Sequence, residues 1–445
     1  MDLTQGEPKK VLWRYCLPLF GSILFQQLYN IADSFVAGKF IGENALAAVG
    51  NSYEITLIYL AFALGCNMGA SIIIANFYGA KKFDDAKTAI STSFIMTAVV
   101  CLTLTIIGFV AIPSLLRLIN IPVEIFNDSL LYIYIYTGGL AFLFFYNLTT
   151  GIFAALGDSR TPFIFLSISS LLNIGMNILF VVKFKMGISG VAWATFICQG
   201  LSCLLSVIVL IRKLKLIKTG NKLKMFSFTI LKKIISIAVP CTLQQSFISV
   251  GNVIIQSVVN SFGTSVIAGY SASIKINNFA LTSLCMVGTG ISNYTAQNLG
   301  VKNIQRVKSG FWTGTKFIVI IALVFTIINI TIPQYMIQLF INSEKSPQAL
   351  VVGIKFLRIV SPFYFIISIK LISDGILRGA EKMNAFMVST LADLATRVTL
   401  VFILSKYFAS TGIWMAWPAS WILGTIASVI FYLYYSKKNF GLKLL

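Results

Sequence analysis

The sequence predicts an all-α membrane protein with twelve transmembrane helices in two six-helix lobes. The lobes would be related by a pseudo-two-fold axis along the membrane normal. Three observations predict it: long apolar blocks, basic residues gathered in alternate loops, and an internal repeat at an offset of about 221 residues.

The 445 residues are 57% hydrophobic and only 11% charged, with a mean hydropathy of +0.86. A block of about 20 apolar residues crosses a hydrocarbon core of about 30 Å. Twelve such blocks occur, at roughly 11–37, 51–75, 89–112, 131–156, 162–182, 188–211, 234–259, 266–293, 311–333, 353–376, 385–404 and 412–435. Without water to satisfy peptide groups, each block must be a helix. The polar start MDLTQGEPKK and the length of the next block argue against a cleaved signal peptide, so the first block is expected to be retained.

The net charge of +21 is an orientation signal. Most of the 35 Lys and Arg fall in alternate connections: Lys9 to Arg14, Lys81 to Lys87, Arg160, the run Arg212–Lys233, Lys302 to Lys308, Arg378 to Lys382, and Lys437 onward. The opposite connections hold only Lys39, Arg117, Lys183, Lys185, Lys345 and Lys406. The positive-inside rule then expects a multi-pass cell-membrane protein with both termini cytoplasmic. Anionic membrane lipid is the expected partner of that basic face. Nucleic acid is not, because the charge is spread along the face with no reading module. The seven cysteines lie within or at the ends of apolar segments without a C-x-x-C pair, and read as small buried hydrophobes. No histidine occurs, which removes His triads, His bases and His-ligated zinc.

The repeat is seen best in GASIIIANFYGAKK at 69–82 and GISNYTAQNLGVKN at 290–303. Gly42, Ala47, Ser52, Ile55 and Leu60 recur in the same register as Gly263, Ala268, Ser273, Ile276 and Leu281. One residue further on, Pro18 and Asn30 recur as Pro240 and Asn252, and Gly157 as Gly379. A unit of six spans returns the chain to its starting side, so both halves enter with the same orientation and a substrate site is expected between them. The expected layout is an N-terminal lobe at 1–211, a basic linker at 212–233 and a C-terminal lobe at 234–445. Gly79 and Gly300 are expected to end the repeated helix.

Residues 18–50, PLFGSILFQQLYNIADSFVAGKFIGENALAAVG, resemble the first-helix signature of MATE (multidrug and toxic compound extrusion) transporters. Further matches are GASIIIANFYGAKK, GIFAALGDSRTP, LLNIGMN, NYTAQNLG and ILRGAEK, in order along nearly the whole chain. The resemblance implies a V-shaped transporter that exports amphipathic, often cationic, compounds in exchange for Na⁺ or H⁺. No cofactor beyond that coupling ion and no enzymatic activity are expected, and a monomer is expected to suffice.

Asp33 is the sharpest candidate. A carboxylate in hydrocarbon costs about 2.5–3.5 kcal/mol on insertion scales, so it is expected to face a polar interior. Gln26, Asn30 and Asp33 share one helical face. Asn173 and Asn177 sit at i, i+4 on the fifth block, and Thr195 lies near the outer end of the sixth. One carboxylate with amide and hydroxyl oxygens suits a hard cation such as Na⁺, and also proton exchange. The resemblance implies that Asp33, Asn173 and Thr195 form the coupling site. Asn177 stands where many members carry an aspartate. Intramembrane Asn pairs also serve as interhelical hydrogen-bonding groups.

Ile255 occupies the repeat position of Asp33, and its block carries a neutral stripe of Gln245, Ser249, Asn252, Gln256 and Asn260. The stripe lines a watery cleft or packs within the lobe. Glu54 and Lys275 share a repeat position with opposite charges, and are candidates for the cleft or for the headgroup level. Lys370, Asp374 and Arg378 form one i+4 ladder, and Asp393 and Arg397 another. Such ladders neutralise charge within a helix, or make a second protonation site. Pro18 and Pro240 open the first helix of each lobe, and the resemblance implies a bend there.

The expected cycle loads Asp33 with a cation or proton from outside, changes its bonding to Asn173 and Asn177, and expels the substrate as the lobes rock. Burial penalises a carboxylate's charged form, so a buried acid can exchange protons near neutral pH. The rivals are a lipid or cell-wall-precursor flippase, which would want a deeply cationic cleft, and a passive channel, which would want a re-entrant selectivity motif.

Overall fold

A computed structural model describes the backbone of residues 2–118, 121, 123–217, 219–220, 224–341 and 346–440. For residues 28, 30–35, 37–38, 43–44, 46–47, 50–51, 53–54, 118 and 438–440 it describes the helical backbone alone. Most of the described residues are helical, with no strand among them. In the first half run α1 (Pro8–Val36), α2 (Glu43–Gly79), α3 (Phe83–Leu118), α4 (Val123–Gly138), α5 (Leu140–Ala155), α6 (Arg160–Ile178) and α7 (Ile188–Leu216). In the second run α8 (Phe228–Asn260), α9 (Thr264–Gly300), α10 (Ile304–Thr331), the short α11 (Pro333–Gln338), α12 (Pro347–Val360), α13 (Tyr364–Gly379) and α14 (Met383–Phe440).

Eight helices among the described residues are long and apolar enough to cross a membrane, or nine if α4 and α5, bent by 49° at Gly139, count as one. α1 and α9 are helical throughout but fall outside that count. α9 buries Ser292, Asn293, Thr295, Gln297 and Asn298, which dilute its apolar run. α14 is not one straight rod. Phe408 (φ −122°, ψ 15°) and Ala409 (φ 49°, ψ −139°) break it. The break falls in the gap between the last two apolar blocks.

The chain forms two compact units, Met1–Asp2 with Leu17–Thr242, and Leu3–Cys16 with Leu243–Leu445. α1 and α8 each belong to both, and each changes unit within two residues of its internal proline, Pro18 or Pro240. In the first unit, α2 takes the early turns of α8 at its own glycines. A Cβ on Gly65 would stand 2.8 Å from Ala238 O, and one on Gly69 would stand 2.7 Å from Ile234 O. In the second unit, α9 and α13 meet through Gly288, Gly375 and Gly379. A Cβ on Gly375 would stand 2.5 Å from Gly288 O, and one on Gly379 would stand 2.4 Å from Ser292 O. Small residues at four-residue spacing let helix backbones approach where no water drives association.

Four helix ends close with one backbone pattern. After α2, α5, α9 and α13, a residue in the left-handed region follows the last turn: Lys81 (φ 59°), Gly157 (φ 75°), Lys302 (φ 55°) and Glu381 (φ 58°). In each, the next N–H reaches back five residues to a helix carbonyl: Lys82 to Phe77, Asp158 to Phe153, Asn303 to Asn298 and Lys382 to Leu377. This is the Schellman closure. α2 and α9 do end at Gly79 and Gly300, but these glycines are not the left-handed residues; Lys81 and Lys302 are.

The second unit holds a buried ionic network. Lys370 Nζ donates to Asp374 Oδ2 at 2.7 Å, and Asp374 Oδ1 accepts from Ser389 (3.1 Å) and Ser428 (2.6 Å). Arg397 Nη2 donates to Asp393 Oδ1 at 2.9 Å and Nε to Ser420 Oγ at 3.2 Å, with the guanidinium 4.3 Å from the Trp417 ring centre. Gly424 leaves the room where the pairs meet: a Cβ there would stand 2.8 Å from Asp393 Cβ and 3.0 Å from Lys370 Cε. Arg378, the third member of its ladder, lies instead 5.1 Å from the Phe386 ring centre.

Six of the seven cysteines are buried and Cys285 is exposed; all are free thiols.

Candidate coupling site

The first unit gathers polar side chains from α1, α6 and α7. On α6, the i, i+4 spacing sets Asn173 under Asn177, and Asn177 Nδ2 donates to Asn173 Oδ1 at 2.9 Å. Both residues are completely buried. Asn173 Nδ2 has no partner among the described residues. A buried donor left unmet costs about 1–3 kcal/mol, so the site calls for an acceptor there.

α7 supplies Thr195, also buried, whose Oγ1 accepts from the Tyr29 hydroxyl of α1 at 3.0 Å. Ser169 Oγ donates to Cys198 O at 3.1 Å, and Cys198 Sγ meets Met176 Sδ at 3.6 Å. These contacts hold the Asn173–Asn177 turn of α6 against the Thr195–Cys198 turn of α7. α1 meets α6 through Phe25 and Phe163, edge to face at 5.8 Å. Gly21 permits this, since a Cβ would stand 2.7 Å from the Phe163 ring.

Asp33 lies on α1 one turn beyond Tyr29, and its side chain, with those of Asn30 and Glu54, lies outside the described residues. α1 and α6 both pass into a π-helical turn just after these positions, at Ala37–Ile41 and Leu179–Lys183, and the two turns pack together. Such wide turns are frequent at functional sites. Nothing in the apolar pattern signals them.

The other candidates are more scattered. Gln26 is exposed on α1. On α8, Gln245 and Gln256 are half-buried and Asn252 is exposed. Within the stripe, Gln256 Nε2 donates to Asn260 Oδ1 at 2.7 Å and Ser249 Oγ to Gln245 O at 3.1 Å. Lys275 is exposed, its ammonium 5.5 Å from the Phe340 ring centre. α1 and α8 remain helical through Pro18 and Pro240. Tyr29 is the residue that sequence reasoning passed over. Its spacing from Gln26 and Asp33, three and four residues, was the available signal.

The MatE family profile matches residues 18–179 and 240–403, one match in each half. The chain belongs to the MATE family. This MATE chain is therefore a member of a multi-pass membrane transporter family. It is 30% identical to the probable multidrug resistance protein YpnP of Bacillus subtilis strain 168, over 97% of this chain and 96% of that one. It is 23% identical, over 70% of each chain, to a protein of Shewanella oneidensis named as an FAD transporter. Its fold matches an outward-facing multidrug resistance MATE transporter of the MOP superfamily with a TM-score of 0.92 at 23% identity, covering 100% of this chain and 98% of that one. A MOP superfamily transporter from Pyrococcus furiosus, described as having a binding pocket of reversed polarity, matches with a TM-score of 0.91 at 23% identity over 100% and 98% of the chains.

Proposed function

We propose that this MATE chain is a proton-coupled antiporter that exports amphipathic, cationic compounds. In this reading twelve spans form two rocking lobes in the cell membrane, with both termini cytoplasmic. Asp33 is the coupling acid, and Asn173, Asn177, Thr195 and Tyr29 are the groups that answer its change of charge.

The observation that carries the reading is that Asn173 Nδ2 finds no partner among the described residues. A deprotonated carboxylate is the acceptor such a donor lacks, and protonation withdraws much of that capacity. A sodium ion would ask the same site for oxygens. Asn173 Oδ1 gives one of its two lone pairs to Asn177, and position 177 offers a neutral amide where a carboxylate would add charge. This favours H⁺ over Na⁺. Cationic substrate is favoured over anionic because Lys370 and Arg397, the buried cations among the second unit's described residues, are each bound to an aspartate. The Shewanella relative's name keeps a nucleotide-like substrate as the second reading.

The test is dye efflux from proteoliposomes under an imposed pH or Na⁺ gradient, with native protein and Asp33→Asn. The pH gradient alone should drive native efflux, and Asp33→Asn should abolish the driven component. Native-rate efflux by Asp33→Asn refutes the coupling role, and an absolute need for Na⁺ at fixed pH refutes the choice of ion.

A further inference from the structure

Arg306 stands in the first turn of α10, where the helix dipole disfavours a cation. The corresponding first turn of α3 carries Asp84 and Asp85, the charges the dipole favours. Arg306 is thus placed against its local electrostatics, and its contacts supply the reason. Nη1 donates to Gly6 O at 2.6 Å. Nη2 donates to Leu3 O at 3.1 Å and Gln5 O at 3.3 Å. Nε donates to Asn298 Oδ1 at 3.0 Å, while Asn298 Nδ2 also donates to Leu3 O at 3.2 Å. Leu3 N–H donates to Gln297 Oε1 at 3.0 Å, and the Leu3 side chain is completely buried. One guanidinium fork therefore reads three carbonyls within residues 3–6, which precede α1.

The segment that follows is packed rather than loose. Trp13 meets Phe317 with ring centres 4.2 Å apart, and Asn293 Nδ2 donates to the Tyr15 hydroxyl at 3.3 Å. All these partners lie in the second unit, yet from Leu17 onward α1 belongs to the first. The clasp thus holds one end of a helix whose later turns carry Tyr29 and Asp33.

We infer that Arg306 is a positioning residue for transport, clasping the carbonyls of Leu3, Gln5 and Gly6 and so fixing the start of the helix that bears Asp33. The inference rests on the proposed coupling role of α1. Because the clasp acts through the helix and not on substrate, loosening it slows turnover without weakening substrate affinity. Because it reads carbonyl geometry and not charge alone, lysine is a poor replacement: a single ammonium cannot reproduce the planar fork.

The test uses the full chain with Arg306→Gln, Arg306→Lys, and a deletion of residues 2–6 that leaves α10 intact. Amide exchange across residues 3–16 reports the clasp. Dye efflux in proteoliposomes, as a function of dye concentration, reports transport. All three variants should speed exchange by about tenfold where the segment remains and lower maximal efflux about three- to tenfold, with the half-saturating dye concentration unchanged. Combining Arg306→Gln with the deletion should add nothing. Native maximal efflux alongside fast exchange, full rescue by lysine, or unaltered exchange in Arg306→Gln would each overturn it; should Arg306→Gln fail to fold, the deletion decides alone. Asp33→Asn is run in parallel. Loss of the coupling reading shows as native efflux in that variant, whereas loss of the clasp shows only in the Arg306 and deletion variants.

Discussion

The Tyr29 hydroxyl donates to Thr195 Oγ1 across 3.0 Å, joining α1 to α7 one turn before Asp33. Tyr29→Phe removes this donor with little change in shape. A net hydrogen bond is worth about 0.5–1.5 kcal/mol, so maximal pH-driven efflux should fall about three- to tenfold. A native rate with a native pH profile would show that the bond is only packing.

Asn177→Asp places a carboxylate beside Asn173 and removes the Nδ2 donor that Asn173 Oδ1 now accepts. Added negative charge and added oxygens favour a hard cation. Efflux by this variant should become Na⁺-stimulated by about tenfold, equivalent to about 1.4 kcal/mol of ion binding. Measuring initial rates against Na⁺ at fixed pH decides it, and a flat response counts against the site.

Lys370 and Asp374 are 4% and 2% exposed, so removing one partner strands a buried charge. Lys370→Met should destabilise the protein by about 3–5 kcal/mol, read as an earlier thermal unfolding midpoint in detergent. Lys370→Met with Asp374→Asn should recover part of that loss, because Ser389 and Ser428 can still donate to the amide oxygen. A double variant less stable than the single one would contradict the network as drawn.

Gly379→Ala drives a methyl to 2.4 Å from Ser292 O and 2.8 Å from Thr295 Cβ. Overpacking of this kind costs about 1–3 kcal/mol. Gly138→Ala meets nothing within 4 Å and serves as the control, expected to be neutral or slightly stabilising. The two unfolding midpoints should separate in that order.

Asp158 caps α6, accepting from the Thr161 N–H at 3.1 Å and its hydroxyl at 2.6 Å, and pairs with Lys213. Burial alone would raise its carboxyl, but the Lys213 and Thr161 contacts outweigh burial and hold it below the ordinary 3.8. A carboxyl with a lowered folded pKa stabilises fully above its unfolded value and loses that contribution as pH falls through the folded one. Thermal stability of the native chain should thus drop more steeply below about pH 4 than that of Asp158→Asn. Parallel curves would remove Asp158 from the acid response.

Much of the fold was legible because apolar length has one meaning in a bilayer. The gap at 405–411 between the last two blocks marked the break at Phe408–Ala409 within α14. The Asn173–Asn177 contact followed from i, i+4 spacing alone. Tyr29 escaped because a tyrosine in an apolar run reads as packing until its hydroxyl partner is known, and that partner is 166 residues away. Arg306 escaped for the same reason, its carbonyl partners lying about 300 residues back. The Lys81, Lys302 and Glu381 turns escaped because non-glycine residues rarely take the left-handed region, so composition offers no cue.

Those four closures pair across the two halves, Lys81 with Lys302 and Gly157 with Glu381. Lysine takes the left-handed residue in the first pair (φ 59° and 55°), and glycine and glutamate take it in the second (φ 75° and 58°), so one bend is made by unlike letters. Likeness between the halves therefore persists in the dihedral trace at a position where the letters do not match.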